Sequence, residues 1–100
     1  MDPRTTYERR DEVQILDVRE SEEWAAGHID GALHLPMDQV PRRIDEVDRR
    51  RPVVAVCRSG RRSDKVAEYL RGQGIPAENM SGGLERWADE GLPLQDPDAG

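Results

Sequence analysis

The sequence predicts an α/β domain: a central, mainly parallel sheet of four to five strands with helices on both faces. Three observations carry this reading. Residues 13–18 and 53–57 are short runs, largely apolar on both faces, as inner strands of a parallel sheet require. Segments with helical spacing alternate with them, which implies strand–helix–strand units. The 100 residues suit one compact domain.

The elements follow in order. Residues 1–12 are polar and weakly patterned, a short N-terminal segment with at most a helical turn over 6–10. Residues 13–94 form the domain proper. Its first strand, 13–18, ends at Asp17 and Val18. Ser21, Glu22 and Glu23 read as the first turn of a short helix, since acidic groups suit a helix N-terminus. Gly27 closes that helix. Residues 29–35 form a short extended segment ended by Pro36. A helix is expected from Asp38 or Pro41 to Arg49, because Val40, Ile44 and Val47 fall at i, i+4 and i+7. Residues 53–56 are the second buried strand, ending at Cys57. After a tight loop, Ser63 is expected to cap a helix that turns Val66, Ala67 and Leu70 inward and ends at Gly72 and Gly74. A strand over 75–80, a turn at Gly82-Gly83 and a helix over 84–90 complete the domain. Residues 95–100 form a tail.

Composition excludes several classes. The net charge of −6 argues against a nucleic-acid or membrane binder, which needs a broad basic face. No apolar stretch approaches the roughly 20 residues of a membrane helix. The N-terminus shows no signal-peptide pattern. One cysteine forbids an internal disulfide, so a reducing, cytoplasmic setting fits. Basic residues nonetheless cluster. Arg49, Arg50 and Arg51 read as solvated surface. Arg58, Arg61 and Arg62, next to the cysteine, point to a small anionic ligand.

Cys57 stands where a strand turns into a helix, in the segment Cys57-Arg58-Ser59-Gly60-Arg61-Arg62-Ser63. Loop amides and the helix dipole converge there. Gly60 permits a backbone conformation that other residues resist. Amides, dipole and arginines all favour thiolate over thiol, so the Cys57 pKa is expected to fall. The general physics is that of a nucleophilic cysteine acting on an anion. The alternative is an inert cysteine at the end of a core strand.

This segment resembles the active-site loop of rhodanese-domain sulfurtransferases. Asp17-Val18-Arg19-Glu20 with Glu23-Trp24 resembles the family's first motif. Trp24 to Ala32, with Gly27-His28-Ile29 and Gly31-Ala32, resembles the next, and Pro36 stands where a proline is usual. Asn79-Met80-Ser81-Gly82-Gly83-Leu84, Trp87 and Gly91-Leu92-Pro93 resemble the C-terminal motif. The resemblance implies a rhodanese-like fold and a persulfide cycle on Cys57. A thiosulfate-like donor would deliver sulfur, and cyanide, a thiol or a protein would accept it. Arg58, Ser59, Gly60, Arg61, Arg62 and Ser63 would bind the anion, with no metal or organic cofactor. Cysteine phosphatases and arsenate reductases share the fold but carry arginine six residues after the cysteine. Here that residue is Ser63, which favours sulfur over phosphate. A non-enzymatic persulfide carrier or protein-docking module is the alternative. Many family members begin with an extra strand and a full helix, for which 12 residues leave little room. The sheet therefore has four or five strands, and an exposed edge would allow a monomer or a weak homodimer.

Other candidates read as structural. His28 bonds within the fold, and His34 belongs to a strand or loop. Two histidines and one cysteine match no compact zinc spacing. Arg19 is expected to pair with Glu23, and Trp24 and Trp87 to fill the core.

Overall fold

The alternation of apolar strands and helical segments builds one four-stranded sheet. The computed structural model describes residues 1–95; residues 96–100 of the expected tail lie outside the described residues. Helix α1 (Pro3–Glu8) precedes strand β1 (Gln14–Asp17), and helix α2 (Ser21–Ala25) precedes strand β2 (Leu33–His34). Two 3-10 turns, Met37–Gln39 and Ile44–Glu46, lead to strand β3 (Val53–Val56). Helix α3 (Arg61–Gly72), strand β4 (Ala77–Asn79) and helix α4 (Gly83–Asp89) follow. The strand order is β2-β1-β3-β4, and all three pairings are parallel.

The period of two along each strand divides the core into two layers. Leu16, Val53 and Ala55 face one layer with Val66, Ala67 and Leu70 of α3. Ile15, Val54 and Val56 face the other with Leu84 and Trp87 of α4, against which Tyr7 of α1 packs. Helices therefore cover both faces, as parallel strands require.

Four local expectations change. Residues 1–12 hold a six-residue helix rather than a single turn. Asp2 caps it by accepting from the Thr5 amide at 2.7 Å, and Pro3 suits its first turn. The helix expected over 38–49 is instead the pair of 3-10 turns. Pro41 has no amide hydrogen to bond the Met37 carbonyl, which the Val40 amide takes at 3.3 Å. Further on, the Gln14 carboxamide bonds both backbone groups of Asp48 (2.9 and 3.1 Å), a strand-like pairing for a segment that has left helical geometry. Ser63 lies inside α3 and does not cap it; the N-cap is Gly60, at φ +95°. The expected strands over 29–35 and 75–80 shorten to two and three residues. At the chain end, Gln95 pairs with His28 through two backbone hydrogen bonds.

The chain leaves β1 toward one side of the sheet and β3 toward the other. The gap beyond their carboxyl ends is the switch point where such folds bind ligands. Gly83 lets α4 reach this gap. A Cβ there would lie 2.5 Å from the Arg58 carbonyl oxygen and 2.6 Å from that of Cys57, and φ is +62°. Gly83→Ala is expected to cost about 3 kcal/mol and to lower Tm by more than about 10 °C. Gly74→Ala, with positive φ but open space around its Cβ, is expected to cost only about 1 kcal/mol. Parallel thermal melts of the two variants check this, and equal losses would contradict the close approach at Gly83.

Candidate active site

Cys57 follows β3 directly, so its thiol is delivered to the switch point by a strand fully buried along its length. The chain then turns through Arg58, Ser59 and Gly60 into α3. Cys57 Sγ accepts from the Gly60 amide at 3.1 Å, the Ser63 amide at 3.4 Å and the Ser63 hydroxyl at 3.2 Å. Cys57 is fully buried at the floor of the loop. An open cleft of about 750 Å³ lies over the loop, walled by Ser59, Gly60, Arg61, Arg62 and Asn79.

Burial pushes the Cys57 thiol up. The Ser63 hydroxyl and amide, with the Gly60 and Ser59 amides, favour the thiolate by more, so the pKa falls below the ordinary cysteine value. The lowering expected from the sequence is present, and hydrogen-bond donors, more than arginine charge, are its main cause. Two of the loop arginines are already paired. Arg62 donates two parallel hydrogen bonds to Glu23, at 2.7 and 2.8 Å. Arg58 faces Glu85 at 3.7 Å, an exposed and weak pair. Arg61 is exposed on the cleft with no ion-pair partner among the described residues.

The structure therefore brings Cys57, Ser59, Gly60, Arg61, Arg62 and Ser63 together and turns Arg58 toward α4. It also brings in Asn79, which the sequence reading placed only in a motif. Asn79 Nδ2 donates to the Gly60 carbonyl at 3.0 Å, and Oδ1 accepts from the Ser63 hydroxyl at 2.6 Å. The Gly60 carbonyl can only accept, so the amide orientation is settled, and Asn79 Oδ1 must face Ser63. One hydroxyl proton cannot serve Asn79 and Cys57 at once. With a thiol, Ser63 donates to Asn79; with a thiolate, the same proton can turn to Sγ. A polar residue at the end of a short strand, beside a glycine turn, was the available signal for Asn79.

The pairing of Arg19 also differs from expectation. Arg19 binds the buried Asp17 carboxylate at 2.8–3.1 Å and donates to the carbonyls of Glu23 and Gly27. Two residues apart at a strand end, Asp17 is nearer than Glu23 and lies in the same buried turn, so it takes the guanidinium. This frees Glu23 for Arg62. Trp87 is fully buried as expected, whereas Trp24 is half-buried and stacks on His28 (centroids 3.6 Å apart) and His34 (4.6 Å). Both histidines bond backbone carbonyls, His28 to Trp24 and His34 to Arg19. Among the described residues no three His, Cys, Asp or Glu side chains gather to hold a metal, and no helix is long and apolar enough to cross a membrane.

Two outcomes follow from this geometry. Ser63→Ala removes a donor to the thiolate, so the Cys57 pKa should rise. Iodoacetamide alkylation at pH 7 should slow about fivefold, the worth of one hydrogen bond, and an unchanged pH profile would contradict the assignment. Arg62 holds the Glu23 carboxyl down at about 2, from an ordinary 4.5, chiefly through their hydrogen bonds. Because the folded pKa is depressed, the stabilisation is complete above pH 4.5 and is lost as pH falls toward 2. Glu23→Gln should remove on the order of 1 kcal/mol at neutral pH and flatten this part of the acid-unfolding curve.

The Rhodanese-like domain family matches residues 3–90. A protein of Allochromatium vinosum named sulfurtransferase is 42% identical over 89 residues, covering 88% of this chain and 83% of its own. Thiosulfate sulfurtransferase GlpE of Shewanella oneidensis is 38% identical over 76 residues, covering 75% of each. The crystal structure of a rhodanese-related protein from Thermoplasma volcanium superposes with a TM-score of 0.93 at 26% identity, covering 96% of both chains. With a family match over most of its length and a parallel sheet that carries a cysteine loop at the switch point, this chain belongs to the rhodanese-like domain family.

Proposed function

We propose that this protein is a sulfurtransferase that moves sulfane sulfur from a small anionic donor to a thiophilic acceptor through a Cys57 persulfide. The observation that carries the reading is the set of three donor groups within hydrogen-bond reach of Cys57 Sγ, which favour a nucleophilic thiolate. The names of the two relatives support the reaction class.

In the first step the Cys57 thiolate attacks the outer sulfur of thiosulfate. A new S–S bond forms, the old one breaks, and its electron pair leaves with sulfite. In the second step an acceptor thiolate or cyanide attacks the outer sulfur of the persulfide, and the bonding pair returns to Cys57. This is covalent catalysis in two displacements. The amides of Ser59, Gly60 and Ser63 hold the negative charge in the cradle, and the Ser63 hydroxyl turns from Asn79 toward sulfur as charge develops. Arg61, on the cleft with no ion-pair partner among the described residues, attracts the sulfonate. Arg62, bound to Glu23, keeps the start of α3 in place, and Arg58 lies at the outer rim. A single buried thiol fits a reducing, cytoplasmic setting.

Incubation with thiosulfate should add about 32 Da to the intact mass, and Cys57→Ser should abolish both the adduct and turnover. Arg61→Gln should raise the KM for thiosulfate about tenfold with a smaller effect on kcat, since it removes one charge-assisted contact to the anion. Absence of any adduct with thiosulfate, mercaptopyruvate or a persulfidated protein would refute the reading. Rapid loading from a persulfidated protein with negligible thiosulfate turnover would identify a carrier instead.

A further inference from the structure

The cleft over the Cys57 loop continues past the cradle. Lys65 and Met37 line both this cleft and a second, apolar groove of about 190 Å³ formed with Val40, Pro41, Val66 and Tyr69. One wall of the combined trough is a single face of α3, because Arg61, Lys65 and Tyr69 stand at i, i+4 and i+8. The other wall is the 3-10 segment that replaced the expected helix. Eight residues of helix span about 12 Å, well beyond the reach of one small oxyanion. Tyr69 is one of only two large apolar side chains exposed among the described residues, at 37%. Lys65, like Arg61, has no ion-pair partner among the described residues; Asp64 on the same wall offsets one of these two charges. The trough thus presents net positive charge and then an apolar shelf, in a protein whose net charge is −6.

We propose that this trough docks a protein acceptor, through an extended segment that carries its thiol beside an acidic residue and then an apolar one. The proposal rests on the persulfide reading above and assigns the acceptor class. The acidic side chain meets Lys65 and the apolar one packs on Pro41 and Tyr69. An extended chain rises about 3.3 Å per residue, so the acid falls about two residues from the thiol and the apolar residue about four. In the transfer, the acceptor thiolate attacks the outer persulfide sulfur, a new S–S bond forms on the acceptor, and the electron pair of the broken bond stays on Cys57.

Synthetic peptides Cys-Gly-Glu-Gly-Leu and the reversed Leu-Gly-Glu-Gly-Cys test this against Cys-Gly-Lys-Gly-Ser. One of the acidic peptides should accept sulfur from persulfidated protein with a kcat/KM about tenfold above the control. Tyr69→Ala should lower that value about fivefold and leave transfer to cyanide unchanged. Lys65→Glu should reverse the preference toward Cys-Gly-Lys-Gly-Leu. Equal rates for all peptides, or equal loss toward cyanide and peptide in Tyr69→Ala, would overturn the docking site. Binding of the fluorescently labelled acidic peptide to Cys57→Ser, read by anisotropy, separates the two readings. If no persulfide forms but this binding is present and weakened by Tyr69→Ala, the transfer chemistry fails and the docking surface stands. If persulfide forms but no peptide preference or binding is seen, the docking surface fails alone.

Discussion

The site depends on how the loop after Cys57 is tied by its carbonyl groups. The Cys57 carbonyl accepts from the Leu84 amide at 2.8 Å and the Arg58 carbonyl from the Glu85 amide at 3.0 Å. Asn79 holds the Gly60 carbonyl from the other side. A trans peptide unit is planar, with C=O and N–H pointing in opposite directions. Tying the Arg58 carbonyl to α4 therefore turns the Ser59 amide back toward Sγ. The same bonds satisfy the first amides of α4, which otherwise lack partners. Gly83 makes this possible, since any side chain there would strike both loop carbonyls.

With the amides aimed inward, charge has a smaller part than the arginine count implies. Desolvation acts on Cys57 in the direction of the neutral thiol. Short-range donors overcome it because they touch the sulfur, whereas the Arg58 and Arg62 guanidinium groups are paired with carboxylates. Arg62 of α3 and Glu23 of α2 bind each other, so this pair joins the two sides of the switch point. Asp17 and Arg19 brace the end of β1. The two close pairs brace the frame, and Arg61 and Lys65 are left on the cleft without an ion-pair partner among the described residues.

The same frame sets the width of the site. Because Pro41 interrupts helix formation, the segment after β2 is two short turns, and Met37 and Val40 line an open trough beside α3. A continuous helix expected over 38–49 would have turned Val40, Ile44 and Val47 into the core as one face. In the folded chain Val40 and Val47 are still buried, so the apolar spacing marks the inward-facing residues although the segment is not a continuous helix. Two buried anchors and a proline describe a packed turn as well as they describe a helix.

Much of the protein was legible in its sequence. Apolar runs on both faces of 13–18 and 53–57 suit inner strands of a parallel sheet covered on both sides, and glycines and prolines mark where its elements stop. The place of Cys57 at a strand end, and the glycine needed at position 60, are local and follow from the chain itself. What tertiary structure alone decided is the choice among partners. Arg19 could bind Asp17 or Glu23, and Ser63 could cap a helix or face the thiol. Asn79 became part of the site only when β4 came to lie beside β3. Strand and helix patterns report which face of an element is buried, but hydrogen-bond and ion-pair partners depend on distances between segments far apart in sequence. Those distances exist only once the sheet has brought the segments together.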